Sequence, residues 1–283
     1  MSAVDKPLHP LGRPASATDR ESIYQPEQAG RRFPRVPTFS SHQEHRVHRK
    51  QRLAAACRAF ALQRLDYGFA GHLTIRDPEF PHLYWTNPMC VHFSQVKVSN
   101  LILADHDGNV VEGDHAINRA GYVLHAAVHE AHPDIVAMCH AHTEYGTAFA
   151  SLGRPLEPIS QDACAFYEDH VVIRDQGGKV AVEPQAGVSV APFFAGVRAA
   201  IHQNHGLLTV SRHSIEAAAF WFIALERCCK QQLIVEATGH RPAPVPHDRA
   251  IYSRENVGSE YIGWLHFQPI WEQLLASQPD MLA

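Results

Sequence analysis

The sequence predicts an α/β fold, and two observations predict it. Short segments rich in β-branched and aromatic residues recur around polar turns, and three longer stretches, 44–65, 117–132 and 215–238, carry apolar residues at helical spacing. With 283 residues and 45% apolar content, the chain can bury one sizeable core. Three parts are expected: a proline-rich arm over 1–43, a main domain over 44–240 and a C-terminal extension over 241–283.

In the arm, prolines at 7, 10, 14, 26, 34 and 37 break any periodic pattern, so an extended tail is expected. From 44 to 65, Val47, Leu53, Cys57, Phe60, Ala61 and Leu65 keep helical spacing until Gly68 closes the segment. Residues 71–76 and 83–86 then flank Asp77-Pro78-Glu79 as one hairpin, and 101–104 and 110–111 flank Asp107-Gly108-Asn109 as a second. Residues 117–132 form a helix. Its His125 and His129 have i, i+4 metal-compatible spacing without the glutamate of H-E-x-x-H, so a hydrogen-bonded, partly buried pair is the competing reading.

The apolar stretch after Pro133, Asp134 to Thr143, reads as a short buried strand, at whose end His140 and His142 point to one face. His205, in Asn204-His205-Gly206, is the best third partner. Three neutral imidazoles suit Zn²⁺, Fe²⁺ or Mn²⁺ and leave coordination positions open, as a catalytic site requires. A short helix over 144–151 and a polar, aromatic loop over 158–169 follow, the loop being either an active-site wall or a surface loop. Next come a hairpin of 170–173 with 179–182 around Gly177-Gly178, and a strand over 198–203. Ser214 can cap the helix 215–238, which Gly239 stops. Its Phe220, Trp221, Phe222, Ile223 and Leu225 predict burial on more than one side, as at a subunit contact. The extension is expected to be looser, anchored by Tyr252, Tyr261, Trp264, Phe267 and Trp271.

Lys plus Arg number 25 against 29 Asp plus Glu, a net charge of -4, which argues against a nucleic-acid partner. Six cysteines without a C-x-x-C pair fit a reduced compartment, and neither an N-terminal apolar h-region nor a run of ~20 apolar residues is present. A cytoplasmic protein without a membrane segment is expected.

Several motifs occur together and in order: Ala70-Gly71-His72-Leu73-Thr74-Ile75-Arg76, Val111-Glu112-Gly113, His125 with Ala131-His132-Pro133-Asp134, His140-Ala141-His142-Thr143, and Asn204-His205-Gly206-Leu207-Leu208. On these pieces the chain from about Arg52 to Gly239 resembles the class II aldolase/adducin family. The resemblance implies a three-layer α/β/α fold with a mainly antiparallel central sheet and a homotetramer with sites between subunits. It also implies a divalent metal on His140, His142 and His205, with Zn²⁺ the first choice and Fe²⁺ or Mn²⁺ the alternatives. In the family's sugar-phosphate aldolases the metal polarises a carbonyl while a carboxylate moves the proton. That glutamate matches Gly121 here, the phosphate-binding Gly-Asn becomes Gly71-His72, and two serines become Arg119 and Ala120.

The departures redirect the chemistry to other groups. Asp162, Tyr167 and Glu144 are the candidates for proton transfer, and His72, Arg76 and Arg119 for binding a carboxylate or aromatic hydroxyl. Three functions follow. The first is a metal-dependent lyase acting on a small non-phosphorylated oxo or hydroxy compound. The second is a non-haem Fe(II) oxygenase or oxidative decarboxylase on the same histidines. The motifs 159–163, 166–167, 258–260 and 263–269 support it, because they resemble a microbial branch that includes an iron-dependent oxygenase of aromatic oxo acids. The third is an adducin-like scaffold without turnover.

Overall fold

The computed structural model describes residues 34–174, 177–179 and 184–283. The first helix, α1 (His42–Leu62), starts where Ser41 Oγ accepts the Glu44 N–H at 3.2 Å. Strands β1 (Gly71–Arg76) and β2 (Leu83–Thr86) form the first hairpin, and β3 (Ile102–Asp105) and β4 (Val110–Glu112) the second. Asp77 ties the first turn to α1: its carboxylate accepts from Arg46, from Trp85 Nε1 at 2.9 Å and from the backbone of Glu79 and Phe80. Burial alone would raise the Asp77 pKa, but these donors outweigh it and hold the carboxyl well below the ordinary range.

Helix α2 (Arg119–Ala131) leads to β5 (Ala137–Ala141), α3 (Glu144–Ala150), α4 (Gln161–Cys164) and β6 (His170–Ile173). Then follow α5 (Pro184–Val190), β7 (Ala199–His202), β8 (Gly206–Ser211), α6 (Ile215–Ala237), α7 (His247–Val257) and α8 (Glu260–Ser277). The strands form one sheet in the order β4-β3-β2-β1-β5-β8-β7-β6, antiparallel except for β6 with β7. One face packs Leu73, Ile75, Trp85, Cys139 and Leu207 against α1, α6 and α8. Its other face packs Met138, Leu208 and Val210 against Leu124 and Val128 of α2. Apolar residues on both faces make this the expected three-layer α/β/α arrangement with a mainly antiparallel sheet.

Three expectations change. β6 pairs in parallel with β7, so 170–173 is not simply half of a hairpin, and the return strand expected over 179–182 lies largely outside the described residues. Parallel pairing needs a long crossover, and the chain between Arg174 and Arg198, including α5, supplies it. The C-terminal extension is not loose. Tyr261, Trp264, Phe267 and Trp271 recur at three- to four-residue intervals and line one face of α8, whose N-cap Ser259 accepts the Ile262 N–H at 3.1 Å. Finally, Trp221, Phe222 and Leu225 of α6 are buried in the same cluster as α8, so the burial expected for this run is met within the chain, whereas Ile234 near the end of the helix stays exposed.

Candidate metal centre

The register of β1, β5 and β8 builds the site. His72 stands directly opposite His140, and His140 opposite Leu208, so the two imidazoles share the sheet face beneath α2. Their ring centroids are 4.9 Å apart. His142 follows one residue past the end of β5, where its N–H donates to Ala70 O at 3.2 Å. His205 sits in the tight turn joining β7 to β8. Asn204 adopts a left-handed conformation there, φ 57°, which an asparagine tolerates at less cost than most side chains. The Asn-His-Gly motif is therefore the turn that aims His205 at the strand pair.

One ring nitrogen from each of His140, His142 and His205 lies within 4.8 Å of the others. His140 Nδ1 donates to Leu207 O at 2.8 Å, which orients the ring and leaves Nε2 to bind. Burial pushes all three below the ordinary histidine range, His205 down to about 3 with His202 and His142 adding to the effect. Neutral imidazoles are the form a divalent ion takes. On the same wall Thr147 Oγ1 is buried without a hydrogen-bond partner among the described groups. The donor set therefore fits a divalent metal, and a cavity of about 300 Å³ opens in front of it.

Beside the triad, His72 Nδ1 lies 2.9 Å from His125 Nε2, and Thr74 Oγ1 lies 2.8 Å from His125 Nδ1 and 2.9 Å from His129 Nε2. His125 and His129 are thus a hydrogen-bonded pair, as in the competing reading of their spacing but fully rather than partly buried, and they stand outside the metal cluster. His72 also explains the glycine at 121. A Cβ built there would lie 2.0 Å from His72 Cδ2 and 2.2 Å from its Nε2, so no side chain can project from that helix position while the imidazole is in place.

The other predicted groups are distributed differently. His72 lines the cavity. Arg76 does not: its guanidinium donates to the carbonyls of Pro81, His129 and Ile135, which consumes it as a buried brace between β1 and the end of α2. Arg119 and Glu144 are exposed first residues of α2 and α3 and do not line the cavity. Within its own chain Asp162 faces Arg227 at 4.0 Å, and the Tyr167 hydroxyl meets His247 Nδ1 at 3.0 Å, both away from the cavity lining. Sequence reasoning missed two participants. Lys179, taken for a strand residue, is the cation among the described cavity-lining residues. Glu226, a carboxylate inside the apolar run of α6, accepts the backbone N–H groups of Tyr145 at 3.0 Å and Gly146 at 2.6 Å and so anchors the turn after His142.

Residues 51–233 match the family model of the Class II Aldolase and Adducin N-terminal domain, and the chain belongs to that family. It is 40% identical over 251 residues to Decarboxylase NovR of Streptomyces niveus, spanning 88% of this chain and 92% of the relative. It is 40% identical over 253 residues to the 4-hydroxy-3-prenylphenylpyruvate oxygenase/4-hydroxy-3-prenylbenzoate synthase of Streptomyces roseochromogenus subsp. oscitans, spanning 89% and 90% of the two chains. Among solved structures, the L-fuculose 1-phosphate aldolase from Glaciozyma antarctica PI12 aligns with a TM-score of 0.81 and 37% identity over 87% of this chain and 96% of that one. Among the described residues no helix is long and apolar enough to cross a membrane.

Proposed function

We propose that this protein is a ferrous-iron-dependent oxygenase that oxidatively decarboxylates an aromatic 2-oxo acid. Of the three sequence readings, the two relatives of nearly equal length favour the second over a lyase, one being a decarboxylase and the other an oxygenase of a phenylpyruvate. The observation that carries the reading is the His72 imidazole packed against Gly121, which leaves no room for a side chain at the position that matches the aldolase glutamate. An aldol cleavage would lack its usual proton carrier here.

His140, His142 and His205 would hold the ion, which when ferrous supplies open positions for a 2-oxo acid and dioxygen, a chemistry Zn²⁺ does not offer. The residues of the chain then bind and orient. Lys179, which lines the cavity, would pair with the substrate carboxylate, and Phe69 and Leu124 would give the aromatic ring apolar contact. Shortening an arylpyruvate to the corresponding arene carboxylate removes two carbons. The balanced reaction consumes two O₂ and releases two CO₂ and one water per substrate.

Protein purified without added metal should contain iron. With 4-hydroxyphenylpyruvate as a general probe it should consume oxygen and release CO₂ in equal amounts. Zinc as the resident metal, with cleavage of L-fuculose 1-phosphate and no oxygen uptake, would overturn the proposal.

A further inference from the structure

A line of buried groups beneath α2 ends at the cavity, and its hydrogen bonds have only one consistent direction. The Ile135 carbonyl can only accept, so its contact with His129 Nδ1 at 3.2 Å makes that nitrogen the protonated one. A neutral His129 then has a bare Nε2, which accepts from the Thr74 hydroxyl 2.9 Å away. With the hydroxyl proton committed there, Thr74 Oγ1 accepts from His125 Nδ1 at 2.8 Å, which leaves His125 Nε2 bare. That nitrogen accepts from His72 Nδ1 at 2.9 Å. One carbonyl at the far end thereby sets the tautomer of three imidazoles. His125 and His129 are fully enclosed, and burial keeps both neutral.

We propose that His72 presents an unprotonated Nε2 to the cavity as a fixed hydrogen-bond acceptor, selecting a substrate whose hydroxyl donates beside the metal. The enol of an arylpyruvate carries such a hydroxyl. A phosphate dianion offers only acceptors and would face the same lone pair unfavourably, so the device both favours one class and rejects the other. The choice of enol rests on the oxo-acid reading above, whereas the tautomer does not. The geometry supports the aim of the lone pair: Nε2 lies over Gly121, which with His72 lines the cavity. His72 is the residue that touches substrate, and Thr74 is a positioning residue acting through His125.

The test uses the full chain loaded with Zn²⁺, so that binding is read without turnover. In ¹⁵N-histidine spectra the His72 resonances, identified by their loss in His72→Asn, should show a protonated Nδ1 and a bare Nε2. 4-Hydroxyphenylpyruvate, which can enolise, should bind about tenfold more tightly than 4-hydroxyphenylglyoxylate, which keeps the phenol but cannot, the difference one hydrogen bond supplies. Thr74→Val should abolish this preference by freeing the His125 and His72 tautomers, and Thr74→Ser should restore it. A protonated His72 Nε2 in the wild type would overturn the proposal, as would a preference unchanged in Thr74→Val or loss of zinc in His72→Asn. If the tautomer and preference hold while the iron-loaded protein consumes no oxygen, the oxygenase reading fails and this one stands.

Discussion

The Glu226 carboxylate, from the middle of α6, receives the Gly146 backbone N–H at 2.6 Å and so joins the layer behind the sheet to the turn that carries His142. A Cβ at Gly146 would lie 2.6 Å from that same carboxylate oxygen, so the close approach depends on the glycine. Burial raises the Glu226 pKa, even though Thr143 and two backbone donors favour the ionised form. Glu226→Ala leaves those donors unpaired at the start of α3. It should destabilise the protein by about 3 kcal/mol in denaturant unfolding and weaken metal binding about tenfold, because the His142 turn loses its anchor. A variant with unchanged metal affinity would separate this carboxylate from the site.

His72 and Gly121 should behave as a coupled pair. Gly121→Ala forces the His72 ring out of its place and should cost about 1 to 3 kcal/mol of stability, the range for overpacking. In His72→Asn the shorter side chain gives room, and adding Gly121→Ala to it should cost far less. A double-mutant cycle measures the difference, expected to exceed about 1 kcal/mol. Additive effects would show that the two residues do not compete for one space.

The sequence pattern carried the strands of the site further than its neighbours. Alternation put His140 and His142 on one face, and the same period puts His72, Thr74 and Arg76 on the face they occupy, because side-chain direction in a strand is local. What lay beyond local pattern was partnership. Arg76 reads as a free cation until three carbonyls close around it, and Glu226 reads as a stray charge until α3 begins against it. The aromatic residues of α8 were visible as anchors, yet only their packing on α6 shows that they form one helical face. Pairing between β6 and β7 spans the sequence between them, and no local signal reports a crossover of that kind.

Replacement of any one metal-candidate histidine should remove most of the metal without unfolding the chain. His205 tests this most sharply because it arrives on a turn rather than on the strand pair. His205→Ala should lose bound metal in elemental analysis while keeping its circular dichroism spectrum. Full occupancy in that variant would show that the third ligand comes from elsewhere.

A homotetramer remains the expected assembly, now argued from exposed apolar groups rather than from the run 220–225 of α6. Tyr67 and Phe69 are 72% and 57% exposed where the chain approaches the cavity, and Ile234 and Tyr252 are exposed on α6 and α7. Large apolar groups left in water in this way are what an association surface offers. Light scattering at micromolar concentration should give a mass near four chains, and a value near 31.5 kDa would contradict it.

Acid should loosen the metal-free protein well before its carboxylates are titrated, and the line of histidines beneath α2 supplies the reason. Burial pushes His129 down to about 3, with Arg76 adding to the effect, and it holds His125 well below the ordinary value. In the unfolded chain both return to about 6.5. Between those limits the unfolded state binds more protons than the folded one, so stability rises with pH across the interval and is complete above it. Each histidine should contribute a slope of about 1 kcal/mol per pH unit as the pH falls from 6.5. Denaturant unfolding at pH 7, 6 and 5 should show that loss, and His129→Gln, which cannot charge, should flatten the profile. A wild-type stability constant over this range would mean that the buried histidines are not neutral in the folded protein.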